Sequence, residues 1–206
     1  MLMVCLDLEG VLVPEVWLGL AERTGIEALR VTTRDVADYD ELMCHRLAVL
    51  KEHGLGMAAL RAAAAEIQPY AGARELLDWI RERFQLVILS DTFDELARPL
   101  MAQLGWPTLF CHQLVVDASD HVSGYHLRLQ DHKTAAVVAF QQLNFRVAAA
   151  GDSYNDTGML NQADTGSLFC PPATVREAFP YLPVINDYAT LRTLLTNAAK
   201  EAPPEP

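Results

Sequence analysis

The sequence predicts an α/β fold: a Rossmann-like parallel sheet with helices on both faces and a small helical segment inserted after the first strand. Three observations lead there. Short apolar runs of strand length recur along the chain, and amphipathic stretches of ten to fifteen residues alternate with most of them. That alternation breaks once, between Val13 and Pro69, where three helical patterns follow one another without a convincing strand. The length of 206 residues accommodates one such domain, or a compact core with one small insert.

Met3–Leu8 is an apolar run stopped by Glu9-Gly10, the pattern of a buried strand entering a turn. The insert carries helical patterns over Val16–Thr24, over Asp40–His53 with Leu42, Met43, Leu47 and Leu50 on one face, and over the alanine-rich Met57–Ile67. Pro14 and Pro69 bracket it, and each disfavours helix in the residue before it. The organisation expected is therefore a core of residues 1–13 and 70–206, with a helical cap over 14–69 placed as a lid. Helices are then expected at Ala73–Phe84, Phe93–Leu104, His132–Leu143 and Tyr188–Ala199, and strands at Leu86–Leu89, Thr108–Cys111, Val147–Ala150 and Ser167–Cys170. A small antiparallel hairpin is read at about Gln113–Asp117 and Val122–Leu127, around the polar turn Ala118-Ser119-Asp120-His121. The proline-rich tail from Glu201 to Pro206 reads as disordered.

Hydrophobic residues make up 51% of the chain and charged residues 21%, which excludes collagen, coiled coil and wholesale disorder. The formal net charge is −11. Such a field repels phosphodiester backbones and anionic lipid, so neither nucleic acid nor membrane is an expected partner. A small phosphate ester would also be repelled unless a bound cation inverted the local sign. No apolar stretch approaches the ~20 residues that span a bilayer, and the first residues lack a cationic segment, so a cytoplasmic location is expected. Cys5, Cys44, Cys111 and Cys170 lie far apart and read as reduced thiols.

Ligands of open parallel sheets collect at the carboxyl ends of the strands. Three expected strands end in polar groups there: Asp7-Leu8-Glu9-Gly10, Ser90-Asp91-Thr92 and Gly151-Asp152-Ser153-Tyr154-Asn155-Asp156. Lys133 opens the helix before the last of these. Carboxylates gathered this closely raise one another's pKa unless a cation joins them, and Mg²⁺, which takes one or two carboxylates plus phosphate oxygens, suits the set. The six histidines show no ligand spacing. Phosphate-binding Gly-rich loops and the Gly-x-Ser-x-Gly of serine hydrolases are absent.

The order of these groups resembles the haloacid dehalogenase (HAD) superfamily of aspartyl phosphatases. Asp7-Leu8-Glu9-Gly10-Val11 stands where that family has Asp-x-Asp-Gly-Thr, so Glu9 and Val11 depart from the pattern. The resemblance implies that Asp7 is the nucleophile and Glu9 the general acid and base. Mg²⁺ would be held by Asp7, Asp152 and the Glu9 backbone carbonyl. Ser90, the turn N–H groups at Asp91, and Lys133 would hold the phosphoryl oxygens. Asn155 would touch the substrate, and Asp156 would orient Lys133 or a metal-bound water. The helical insert resembles the small cap of phosphoserine phosphatases, which implies that Glu15 and Arg46 grip an amino acid's ammonium and carboxylate, beside Tyr39 and Met43. The opening Asp-Leu-Glu-Gly-Val-Leu-Val-Pro-Glu is most similar to the bifunctional phosphoserine phosphatase/homoserine phosphotransferase group, implying phosphoserine and homoserine as substrates and a homodimer. The competing readings are a phosphatase for another small phosphate ester and a non-enzymatic, receiver-like phospho-acceptor.

Overall fold

The computed structural model describes residues 1–32, 36 and 39–200. The expected disorder of the tail falls outside these residues. Seven strands form one sheet in the order β4-β3-β2-β1-β5-β6-β7. They are β1 (Leu2–Leu6), β2 (Gln85–Phe93), β3 (Leu109–Val116), β4 (Val122–His126), β5 (Arg146–Gly151), β6 (Thr165–Phe169) and β7 (Val184–Ile185). Every neighbouring pair is parallel except β3 and β4. The expected α/β architecture is the one observed.

β1 is buried along its whole length because both its faces are covered. Leu2, Val4 and Leu6 join one apolar cluster, while Met3 and Cys5 join the other, as the two-residue period of a strand requires. The first cluster is shared with the insert, whose helices are α1 (Val16–Thr24), α2 (Tyr39–Glu52) and α3 (Met57–Ala65), with a 3₁₀ turn at Glu27–Arg30. Val16, Leu20 and Leu60 of the insert pack in the same cluster as Leu96 and Leu100 of α5 (Asp94–Gln103). Chain order places α4 (Ala73–Arg81) before β2. After β4 come α6 (His132–Gln142), α7 (Thr157–Gln162), α8 (Ala173–Ala178) and α9 (Tyr188–Lys200). α4 lays Leu76, Leu77 and Ile80 on the sheet. No helix among the described residues is long and apolar enough to cross a membrane.

The structure corrects the sequence reading in three places. Thr108–Cys111 and Gln113–Asp117 belong to one strand, β3, which runs parallel to β2 and then pairs antiparallel with β4. His112, between the two expected runs, lies inside this strand and is buried. β2 continues through Ser90-Asp91-Thr92 to Phe93, with a register shift against β3 between Leu89 and Phe93, so α5 starts at Asp94. The short α7, α8 and β7 lack the length to show a period in sequence.

Candidate active site

β1 lies between β2 and β5, so its carboxyl end is flanked by theirs. The Asp7 N–H donates to the Ala150 carbonyl at 3.0 Å, continuing the ladder one residue past the strand. The chain then folds back: Leu12 and Val13 N–H both donate to the Leu8 carbonyl. Gly10 sits in this turn at φ +77°, and a Cβ there would fall 2.3 Å from Cγ of Asp152. Only glycine lets the β1 turn approach the end of β5 this closely.

The Asp7, Asp152 and Asp156 carboxylates converge, each offering an oxygen within 4.8 Å of the others. They differ in how they are held. Asp156 is fully buried and accepts from the N–H groups of Asp152 (2.9 Å) and Ser153 (3.0 Å), from the Ser153 hydroxyl (3.2 Å), and from Lys133 (2.7 Å). These donors occupy it. Asp7, which accepts the Leu8 N–H at 2.8 Å and faces Lys133 at 3.1 Å, and Asp152 form an oxygen donor pair suited to Mg²⁺. Burial, then the Asp156 charge, pushes the Asp7 carboxyl well above its usual range, with Lys133 opposing.

Lys133 is 2% exposed, with its ammonium 2.7 Å from Asp156, 3.1 Å from Asp7 and 3.4 Å from Asp91. Burial disfavours its charge; Asp156, Asp7 and Asp91 outweigh burial and hold it protonated. Ser90 is buried beside this group, and its hydroxyl accepts the Thr92 N–H at 3.3 Å. Asn155, exposed at the rim, donates to Asp91 at 2.5 Å.

A second group faces the first across the β1 turn. Glu9 accepts the Val16 N–H at 2.9 Å, satisfying an N-terminal donor of α1. Burial, followed by the neighbouring Glu15 charge, pushes Glu9 up to about 8. Glu15 lines a 610 Å³ cavity together with Gly10, Asp152, Tyr70 and Tyr188. Arg46, in α2, is 7% exposed, with its guanidinium 4.5 Å above the Trp17 ring. It donates to the Val31 carbonyl (3.2 Å) and lies against the buried Met43 sulfur (3.8 Å), but its Nε–H has no partner. Among the described residues it forms no ion pair. Tyr39, seven residues earlier on the same helix, donates to the Asp91 carbonyl at 3.3 Å. Every site residue expected from sequence thus falls in one of these two adjoining groups.

Sequence reasoning missed His112 and His132. Both bond Asp91, at 3.4 and 3.1 Å, although they come from β3 and α6 and share no local spacing. A histidine inside the run Leu-Phe-Cys-His-Gln-Leu-Val-Val was the available signal, because a buried polar residue needs a partner. Tyr70, Tyr188 and Cys170, which line the cavity, gave no local signal.

A family model described as haloacid dehalogenase-like hydrolase matches residues 2–164. The phosphoserine phosphatase ThrH of Pseudomonas aeruginosa is 54% identical over 198 residues, covering 96% of this chain and 97% of that protein. A phosphoserine phosphatase of Pseudomonas syringae pv. tomato is 55% identical over 188 residues, 91% of this chain and 79% of that one. Among solved structures, a substrate-bound phosphoserine phosphatase superposes with a TM-score of 0.76 at 18% identity, covering 95% of this chain and 97% of the other. An apo phosphoserine phosphatase gives 0.75 at 20%, with 94% and 97% covered. These structural likenesses establish the fold; the family match and the close relatives establish descent. With its paired strand-end carboxylates, buried lysine and strand-end serine, the chain belongs to the haloacid dehalogenase-like hydrolases.

Proposed function

We propose that the protein is a phosphoserine phosphatase that works through a phosphorylated Asp7 and also passes the phosphoryl group to homoserine. The observation that carries the amino-acid assignment is Arg46: a guanidinium in a buried position, with Nε–H unpartnered and no carboxylate paired to it among the described residues. Burial works against the Arg46 charge, with Glu9 and Glu15 favouring it only through space, and a planar carboxylate from a ligand would meet the guanidinium bidentately. The names of the close relatives point the same way.

Asp7 attacks phosphorus, forming an acyl phosphate and releasing the seryl oxygen. Glu9, protonated below about pH 8, gives its proton to that oxygen. The resulting carboxylate then takes a proton from water, or from the homoserine hydroxyl, as the acceptor attacks the phosphorylated Asp7. Lys133, Ser90 and the N–H groups after it hold the phosphoryl oxygens. Asp7, Asp152 and the Glu9 carbonyl would hold Mg²⁺, which offsets phosphoryl charge when bound. Glu15 and Arg46 orient the amino-acid end, and the insert over 14–69 acts as the cap that excludes water. Serine and homoserine share both handles and differ by one methylene, worth only ~1–3 kcal/mol in a pocket, so both are admitted. The four free thiols fit a reducing cytoplasm.

The test is phosphate release from phosphoserine with and without homoserine, with phosphohomoserine assayed alongside. Release that falls as phosphohomoserine appears supports both activities. Comparable turnover of phosphoglycolate and phosphoserine would remove the amino-acid assignment. Asp7→Asn should abolish both reactions with the fold unchanged.

A further inference from the structure

We propose that Asp91, clamped by His112 and His132, is a positioning residue that aims Lys133 and Asn155 at the phosphoryl site. The proposal rests on the reading that the phosphoryl group is bound beside Asp7.

A carboxylate beside a site for a phosphate ester needs a reason, because its charge opposes the ligand. The hydrogen bonds supply one. Oδ1 of Asp91 faces Nε2 of His132 at 3.1 Å and Nε2 of His112 at 3.4 Å. Oδ2 faces the Lys133 ammonium at 3.4 Å and the Asn155 amide at 2.5 Å. Four donors from β3, α6 and the turn after β5 therefore meet on one side chain at the end of β2. Two of them are groups the proposed function uses: Lys133 to hold the phosphoryl oxygens and Asn155 to touch the substrate. The other two hold Asp91 in place.

An Asp-His-His cluster can also be a metal site. The hydrogen bonds decide against it here. Nδ1 of His112 accepts the Arg128 N–H at 3.2 Å, so the ring proton sits on Nε2, the nitrogen that faces Asp91. A metal-ligating histidine has the opposite arrangement, with its remote nitrogen donating. Both imidazoles are more than nine-tenths buried and stand 4.6 Å apart, with Tyr39 and Phe93 packed around His112. Nδ1 of His132 has no partner, so its one hydrogen bond goes to Asp91. His132 immediately precedes Lys133 on α6. Fixing His132 against Asp91 therefore fixes the first turn of the helix that carries the lysine.

His132→Phe keeps a ring and removes the donor. His132→Gln restores an N–H near the position of Nε2 and loses nothing at the unpartnered Nδ1. We expect His132→Phe to weaken inhibition by inorganic phosphate, and to raise KM for phosphoserine and for p-nitrophenyl phosphate, each about tenfold. The Mg²⁺ concentration at half-activity should stay the same, and His132→Gln should recover most of the loss. Parallel changes on the aryl ester and on free phosphate keep the test independent of the amino-acid assignment. Were phosphoserine not a substrate, those two readouts would still move. An unchanged phosphate Ki in His132→Phe overturns the proposal. Equal losses in both variants overturn it too, since they would report packing alone. So does stoichiometric Zn²⁺ bound by the parent protein and lost in His132→Phe. If His132→Phe does not fold, Asp91→Asn, which keeps the shape and drops the charge, is scored on the same readouts.

Discussion

Arg46 and Glu9 are two residues whose environments are uncomfortable without a ligand. Truncating Arg46 to Ala should lower kcat/KM for phosphoserine by ~10- to 150-fold, the loss of a hydrogen-bonded charge pair of ~1.5–3 kcal/mol. An aryl phosphate has no carboxylate for Arg46 to hold, so its turnover should change little. Equal losses on both substrates would move Arg46 to a structural role. Glu9 titrates in the useful direction for an acid: burial beside Glu15 raises it to about 8, so the protonated form persists through neutrality. As pH rises through that value Glu9 ionises and, in the proposed role, has no proton to give the leaving oxygen. A pH profile of kcat/KM should therefore decline above about 8. Glu9→Gln, which cannot transfer a proton, should lose ~100-fold or more and show no such limb. Asp7, Glu9, Asp152 and Lys133 were legible as a set because each closes a strand or opens a helix. His112 was not, because its partner is 21 positions away in sequence and is reached only through strand pairing.

At the level of elements, the insert is tied to the sheet by the β3–β4 turn. The Met57 N–H donates to the Asp120 carbonyl at 2.7 Å and the Ala58 N–H to the Asp120 carboxylate at 2.9 Å, so a residue of the hairpin caps α3 from outside. Gly56 permits this contact, since a Cβ there would lie 2.7 Å from the Asp120 carboxylate. Asp120→Ala should cost about 1 kcal/mol in urea denaturation, the usual value of a lost helix cap, with the slope unchanged. An effect within error would show that water replaces the cap. On the far side of the hairpin, Tyr125 donates to Asp40 of α2. The hairpin was readable from its polar turn. Its docking on α2 and α3 was not, because residues separated by some 60 to 85 positions make it.

Across the whole molecule, a chain of net charge −11 concentrates Asp7 and Asp152 at one strand edge. Lys133, 3.1 Å from Asp7, offsets part of this charge, and a divalent cation would offset more of it. Mg²⁺ should therefore raise Tm, by an amount that grows with its concentration as ligand binding to the folded state requires. EDTA should reverse the rise, and Asp152→Asn should shift the Mg²⁺ response to higher concentration; a Tm indifferent to Mg²⁺ in the parent would place the ion elsewhere. What the sequence by itself determined is the α/β class, the insert and the polar strand ends. Those signals are local: a buried strand is a short apolar run, a helix is a period, and a turn is a glycine. Only the tertiary structure decided that Thr108–Cys111 and Gln113–Asp117 are one strand, that Asp156 is consumed by its own donors, and that two remote histidines close on Asp91. Hydrogen-bond satisfaction in the interior is a property of packed neighbours, and β1, β2, β3 and α6 become neighbours only when the sheet has formed.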